Sequence, residues 1–101
     1  LQIDGPVDEV MSPYPIAEKL RAFGWETVEI DGHDFDQLEA AFAKARETKG
    51  VPTGIVMKTT KGKGVSFMEN QAGWHGKAPN DQEYEAAAAE IKGRLAEVEA
   101  E

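Results

Sequence analysis

The sequence predicts an α/β fold in which a short parallel sheet is flanked by helices, as an incomplete piece of a larger βαβ-containing sheet. The 101 residues are 41% hydrophobic and 30% charged, which is the composition of a small globular domain. Apolar residues recur with helical and strand spacing in the order helix, strand, helix, strand, helix. A strand–helix–strand unit crosses over right-handed and makes its strands parallel. Because two parallel strands cannot form a domain alone, we expect this chain to dock onto further strands.

The first predicted helix begins after Pro15 and ends at Gly24, where the apolar periodicity stops. Its apolar face is formed by Ile16, Leu20 and Phe23. Residues 25–30 then alternate apolar and polar side chains or carry β-branched ones, which predicts a strand.

The second predicted helix begins at Asp34, where Gln37 completes a sequence resembling a capping box, and it ends near Gly50. Residues 53–58 form an apolar run that is too short for a helix and suits a buried strand. Asn80 opens a last helix over residues 81–101 with a narrow apolar stripe, which predicts peripheral packing. Residues 1–5 read as the end of an apolar segment entering a Gly-Pro turn, and we expect sequence upstream of Leu1.

The charge pattern predicts an anion site in residues 59–80, which we interpret as a ligand-facing loop. The whole chain has a net charge of -8, yet residues 58–80 carry four lysines against Glu69 alone. Gly62 and Gly64 let backbone N–H groups approach an oxyanion, while Lys61 and Lys63 supply positive charge. A diphosphate fits such a loop, although lysines that merely solvate a long loop are the structural alternative. The order of residues matches neither a Walker P-loop nor a dinucleotide-binding fingerprint.

Composition excludes several other classes of protein. The chain has no cysteine, so disulfides, zinc–thiolate sites and thiol nucleophiles are absent. No apolar run approaches the roughly 20 residues that span a bilayer, and we expect a cytoplasmic protein without a membrane partner. The acidic balance argues against a nucleic-acid partner.

The two histidines have different predicted roles. His33 lies between a turn glycine and a helix cap, where a structural hydrogen bond is the usual role. His75 lies in a loop between Trp74 and Gly76, far from any periodic face, and loops on rigid scaffolds are where chemistry concentrates. We therefore predict His75 as the functional histidine.

The chain resembles transketolase over nearly its whole length. The matching motifs are residues 24–34 (ending in Asp-Gly-His-Asp), 52–59, 61–70 (beginning Lys-Gly-Lys-Gly) and 74–80 (Trp-His-Gly-Lys-Ala-Pro-Asn). The resemblance is closest to the N-terminal, diphosphate-binding subunit of the split transketolases, of which this chain would be the C-terminal part of the thiamine diphosphate-binding domain.

The resemblance implies an enzyme that uses thiamine diphosphate and a divalent metal, usually Mg²⁺ but also Ca²⁺ or Mn²⁺. The enzyme would transfer a two-carbon ketol unit from a ketose phosphate to an aldose phosphate. A C-terminal transketolase subunit would complete a dimer or heterotetramer, because the glutamate that activates the cofactor lies in the next domain or the partner. The chain alone would therefore be inactive.

The resemblance also assigns roles to individual residues. Lys61 and Ile3 would contact the cofactor, and His75 would reach both the diphosphate and the donor sugar as the catalytic residue. Leu1 would give its backbone carbonyl to the metal. The Gly-Asp-Gly motif and the asparagine that bind the metal in this family are not in the sequence.

Two alternatives remain open at this point. A 1-deoxyxylulose-5-phosphate synthase shares the Asp-Gly-His and Lys-Gly-Lys-Gly features, although the motif that begins at Trp74 favours transketolase. A noncatalytic phosphate-binding or assembly module would also explain the basic loop.

Overall fold

The computed structural model describes residues 1–101 and confirms the α/β class, with two parallel strands and flanking helices. Its elements are α1 Val7–Val10, α2 Ile16–Ala22, β1 Glu26–Asp31, α3 Phe35–Glu47, β2 Thr53–Lys58, a 3-10 turn Ala72–Trp74 and α4 Asp81–Glu99. The chain divides into two compact units. Residues 11–59 form the sheet unit, and residues 1–10 with 60–101 form the loop unit.

In the sheet unit, β1 and β2 pair in parallel along their full length, from Glu26 opposite Thr53 to Asp31 opposite Lys58. Helix α2 packs against both strands, and α3 packs against β1. The first strand begins one residue later than the pattern predicts. The Trp25 amide donates to the Leu20 carbonyl at 3.1 Å and so belongs to the end of the helix.

Small residues set the packing distance in the sheet unit. Ala17, Thr27 and Ala41 are buried, and no large side chain is fully buried. A Cβ added at Gly54 would lie 2.8 Å from Leu20 Cδ1, so the bare backbone at this position lets α2 approach β2 closely. The core of this unit is therefore thin.

Several large apolar side chains of the sheet unit remain exposed, and most of them lie outside the strand pair. They include Phe23 (83% exposed), Phe35 (86%), Phe42 (51%) and Met57 (51%). Each fully buried side chain of this size contributes about 1.5–3 kcal/mol, so the unit forgoes much of its available hydrophobic stabilisation. This exposure favours the expectation that the sheet packs against further structure.

In the loop unit, α4 begins at a reciprocal capping box. The Asn80 side chain accepts from the Glu83 amide at 2.8 Å, and the Glu83 carboxylate accepts from the Asn80 amide at 2.8 Å. No residue of α4 is buried. The pattern did not predict α1, a single turn whose Glu9 and Val10 amides both donate to the Pro6 carbonyl. None of the helices combines the length and the apolarity needed to cross a membrane.

Candidate functional site

The two strands of the sheet unit deliver their following loops to one edge, because they run parallel. The Gly32 amide, just after β1, donates to the Lys58 carbonyl at the end of β2 at 2.9 Å. Ligands of open α/β sheets bind beyond this carboxyl edge. The chain leaves β2 at Lys58 and enters the loop predicted to face a ligand.

The turn after β1 is closed by its own hydrogen bonds. The His33 amide donates to the Asp31 carboxylate at 2.9 Å, and Asp34 accepts from the Gln37 amide at 3.1 Å. The Gln37 side chain does not complete a capping box, because its carbonyl oxygen accepts from the Asp31 amide at 2.8 Å and its amide nitrogen donates to Asp34 at 3.0 Å. These bonds tie the turn to the first turn of α3 and favour a structural role for it.

Residues 60–71, here called the Lys/Gly loop, form a series of tight turns closed at the base. The Asn70 amide donates to the Lys61 carbonyl at 2.9 Å, and Asn70 itself has a positive φ of 56°. Val65, at the centre of the loop, is buried. The loop is therefore an ordered structure that holds Lys61 at its base and Lys63 on its exposed side.

Both loop glycines adopt positive φ, 72° at Gly62 and 103° at Gly64. A Cβ added at Gly62 would lie 2.5 Å from the Met68 carbonyl oxygen, so this position needs glycine for an approach within the loop. The Gly64 amide donates to the Glu69 carboxylate at 3.0 Å. In this conformation the Gly64 amide, which the sequence predicted to bind an anionic ligand, is bonded to the Glu69 side chain instead.

Residues 72–77, here called the Trp-His turn, present the predicted functional histidine. His75 is exposed and ends the 3-10 turn, with its amide donating to the Ala72 carbonyl at 3.0 Å. The neighbouring Trp74 is fixed by three contacts. Its indole N–H donates to the Phe67 carbonyl at 3.2 Å, its ring centroid lies 5.7 Å from that of Phe67, and Lys77 Nζ lies 4.2 Å from its centroid.

The Phe67–Trp74 contact joins the Trp-His turn to the Lys/Gly loop. The structure therefore brings the segments of Lys61 and His75 together through packing of their neighbours. The contacts of Trp74 show that it packs within the loop unit.

Helix α4 holds this region at two further points that sequence reasoning missed. The Glu90 carboxylate accepts from the Ser66 amide at 2.7 Å and from the Ser66 hydroxyl at 2.6 Å. Glu83 lies 3.6 Å from Lys77 Nζ. No sequence signal identifies the Ser66–Glu90 contact, because its partners are 24 residues apart and follow no motif.

The electrostatics of the Lys/Gly loop combine cationic side chains with the hydrogen-bonded carboxylates of Glu69 and Glu90. Hydrogen bonds from the Ser66 hydroxyl, and next from its amide, hold the pKa of Glu90 below its usual range, and the nearby Arg94 adds to the effect. The Arg94 guanidinium lies 3.3 Å from the position a Cβ would take on Gly64. Arg94 is thus a third cationic side chain at a loop that already carries Lys61 and Lys63.

The remaining predicted site residues lie in the N-terminal turn of the loop unit. Gln2 and Gly5 exchange two backbone hydrogen bonds, at 2.8 and 3.1 Å, and so raise Ile3 to the tip of the turn. Ile3 is 57% exposed and Leu1 is 42% exposed. Both residues are accessible. The contact of Ile3 with a cofactor and that of the Leu1 backbone carbonyl with a metal stay predictions.

Neither a metal centre made by this chain's side chains nor the cavity of the sheet unit is supported as a functional site. No group of three or more His, Asp or Glu side chains in the structure could hold a metal ion. A cavity of about 240 Å³ in the sheet unit is lined mainly by α2 and the residues before it, with Arg21 and Glu29 as a polar pair. It contains none of the predicted site residues.

Comparison with known proteins identifies relatives that match most or all of the chain. The chain is 38% identical over its full length to one subunit of an apulose-4-phosphate transketolase of Phocaeicola vulgatus, and it covers 36% of that subunit. It is 38% identical over 91% of its length to a 6-deoxy-6-sulfo-D-fructose transketolase subunit of a Clostridium species, of which it covers 34%. The chain thus spans about a third of the length of these curated relatives.

A solved structure shows the same fold. A transketolase from Leishmania mexicana superposes with a TM-score of 0.60 over 99% of this chain and 18% of that one, at 24% identity. The family model described as "Transketolase, thiamine diphosphate binding domain" matches residues 1–94. These matches confirm the resemblance, and the chain belongs to the transketolase family as a part of its thiamine diphosphate-binding domain.

Proposed function

We propose that the chain is part of the N-terminal subunit of a split transketolase, which transfers a two-carbon ketol unit from a ketose phosphate to an aldose phosphate. The observation that carries this proposal is the ordered Lys/Gly loop, joined through Phe67 and Trp74 to the turn that exposes His75. The relatives named as subunits of transketolases support the split organisation.

The residues of the Lys/Gly loop fit the diphosphate of thiamine diphosphate. Lys61 and Lys63 are cations on an ordered loop, and Arg94 lies beside Gly64, so the loop offers positive charge without large rearrangement. The Gly64 amide is already bonded to Glu69, which leaves the side chains to neutralise the diphosphate. Bound thiamine diphosphate supplies the carbanion stabilisation that cleavage of a ketose carbon–carbon bond requires.

His75 is proposed to act on the ligands by hydrogen bonding. Its imidazole is exposed, and the turn that carries it is held by the packed Trp74 side chain. A hydrogen bond from this imidazole to the diphosphate would help to hold the cofactor, and one to a hydroxyl of the donor ketose would orient the sugar for transfer. Ile3, exposed at the tip of the N-terminal turn, offers an apolar surface for the rings of the cofactor.

The metal site is supplied only in part by this chain. The Leu1 carbonyl is the kind of oxygen ligand that Mg²⁺, Ca²⁺ and Mn²⁺ accept. One carbonyl does not make a site, and the structure has no cluster of acidic or histidine side chains to complete it.

The proposed partner is a C-terminal transketolase subunit, which together with this chain's full-length protein would form a dimer or heterotetramer. The exposed apolar side chains Phe35 and Phe42 of α3 show that the sheet unit has surface to bury against additional structure. Sugar phosphates are the proposed substrates, bound beside the cations of the Lys/Gly loop.

The test uses the full-length protein assembled with its C-terminal partner. Calorimetric titration with thiamine diphosphate and Mg²⁺ should show binding, and a ketose phosphate with an aldose phosphate acceptor should give the ketol-transfer product. Lys61→Ala should weaken cofactor binding, because it removes a cation from the proposed diphosphate site. Lys49→Ala is the matched control, since this lysine is exposed after the end of α3.

Three outcomes would contradict the proposal in different ways. Absence of thiamine diphosphate binding would favour a noncatalytic module. Condensation of pyruvate with glyceraldehyde phosphate, with release of carbon dioxide, would favour the synthase alternative. Equal weakening by the two lysine substitutions would show that Lys61 acts only through net charge.

A further inference from the structure

The Ser66–Glu90 contact connects the Lys/Gly loop to the middle of α4. Both donors of Ser66, its amide at 2.7 Å and its hydroxyl at 2.6 Å, reach the two oxygens of one carboxylate. The loop's backbone hydrogen bonds are local, the widest joining Asn70 to Lys61. Glu90 therefore ties the loop to an element outside it.

The contact lies at the centre of the loop rather than at its edge. Ser66 follows the buried Val65 and precedes Phe67, the residue that holds Trp74. One helical turn beyond Glu90, the Arg94 guanidinium lies beside Gly64, so α4 contacts the loop at two successive turns. Movement of Ser66 would therefore disturb both the glycine segment and the base of the Trp-His turn.

We propose that Glu90 is a positioning residue that, through Ser66, holds the Lys/Gly loop in its diphosphate-binding conformation. This inference rests on the proposed function. A loop that is ordered before the ligand arrives spares the ligand the cost of ordering it, and its affinity rises accordingly. Glu90 itself need not touch the cofactor.

The sign of the effect separates positioning from simple electrostatics. Glu90 is an anion close to a proposed anion site, so its charge alone disfavours a bound diphosphate. If charge were its only effect, Glu90→Ala would tighten thiamine diphosphate binding. Positioning predicts the opposite, because the loop opens more often when Ser66 loses its acceptor.

The experiment compares Glu90→Ala with Glu97→Ala in the full-length protein assembled with its partner. Both substitutions remove one carboxylate from α4 and introduce the strongest helix former, and Glu97 is exposed near the end of the helix. The probes are thiamine diphosphate with Mg²⁺ in calorimetry and hydrogen exchange of the Asn70 amide, whose bond to the Lys61 carbonyl closes the base of the loop. We expect Glu90→Ala to raise the Kd about fivefold to a hundredfold, because it removes both hydrogen bonds from Ser66, and to speed exchange at Asn70.

A double-mutant cycle tests whether Glu90 acts through Ser66. Ser66→Ala alone should raise the Kd by less, because the amide bond to Glu90 remains. Added to Glu90→Ala, it should have no further effect. At saturating thiamine diphosphate, turnover should return to the wild-type value in Glu90→Ala, because a positioning role acts on binding.

Two results would overturn the inference. One is tighter or unchanged binding of thiamine diphosphate in Glu90→Ala despite faster exchange at Asn70, and the other is an equal change of the Kd in Glu97→Ala. If the wild-type assembly binds no thiamine diphosphate, the proposed function fails, and exchange at Asn70 still shows whether Glu90 holds the loop. Unchanged exchange in Glu90→Ala would then refute the positioning role itself.

Discussion

Substitution of Gly62 by alanine should open the Lys/Gly loop, and Gly76 provides a control with the same backbone conformation. The φ angles are 72° at Gly62 and 73° at Gly76. A Cβ on Gly62 would lie 2.5 and 2.6 Å from the Met68 carbonyl oxygen and carbon, whereas one on Gly76 would meet nothing within 4 Å. The two substitutions therefore share the conformational cost and differ in the steric one.

The expected magnitude follows from these two costs. An L-residue in the left-handed region costs about 1–2 kcal/mol, and the loss of glycine entropy in the unfolded chain returns about 0.4–1 kcal/mol. Gly76→Ala should therefore destabilise its turn by about 1 kcal/mol. The Met68 contact is with backbone, which cannot rotate away, and overpacking of this kind adds about 1–3 kcal/mol. Gly62→Ala should cost about 2–4 kcal/mol.

Native-state hydrogen exchange in the full-length protein measures the effect locally. The Asn70 amide reports on loop closure, because its bond to the Lys61 carbonyl closes the base of the loop. Its opening free energy should fall by the amount above in Gly62→Ala and should stay near the wild-type value in Gly76→Ala. Thiamine diphosphate affinity should fall with it. Unchanged protection of Asn70 in Gly62→Ala, or the same loss in both variants, would refute the steric reasoning.

Three further predictions concern the histidines, the isolated chain and acid stability. In the assembled enzyme, His75→Ala should lower kcat/KM for a ketose phosphate beyond any loss of stability, whereas His33→Ala should act through folding; steady-state kinetics and thermal melts on both variants decide this. Residues 1–101 expressed alone should be marginally stable, because no large side chain is fully buried; a sharp thermal transition with a dispersed amide spectrum would contradict this. Hydrogen bonds from the backbone N–H of Gln37, and next from its side-chain amide, lower the pKa of Asp34. The stabilisation is present above the unfolded pKa and lost as the pH falls through the folded one, so Asp34→Ala should flatten the dependence of the melting temperature on pH below about pH 4.

Much of the fold could be predicted because its signals are local. Helix α4 begins after Asn80, as predicted, and α2 ends before Gly24, where its apolar periodicity stops. The parallel pairing followed from the strand–helix–strand order. The family was predictable from short motifs such as the one that begins at Trp74, and the comparisons confirm it.

The missed elements are those whose signals are weakest over a few residues. Helix α1 is a single turn of four residues, too short for an apolar period. The Gln37 side chain turned from the expected capping box to the Asp31 amide, because β1 ends within reach of it. Sequence spacing could not show that end, which depends on where the strand stops pairing.

By itself, the sequence determined the order and type of the main elements, the basic loop and the family, since each depends on residues within a few positions of one another. Only the tertiary structure decided how the loop is held. The Glu90 carboxylate accepts a hydrogen bond from Ser66, 24 residues away, and the Met68 carbonyl packs closely against Gly62. Such contacts depend on the path of the chain through space, which no local pattern of side chains encodes.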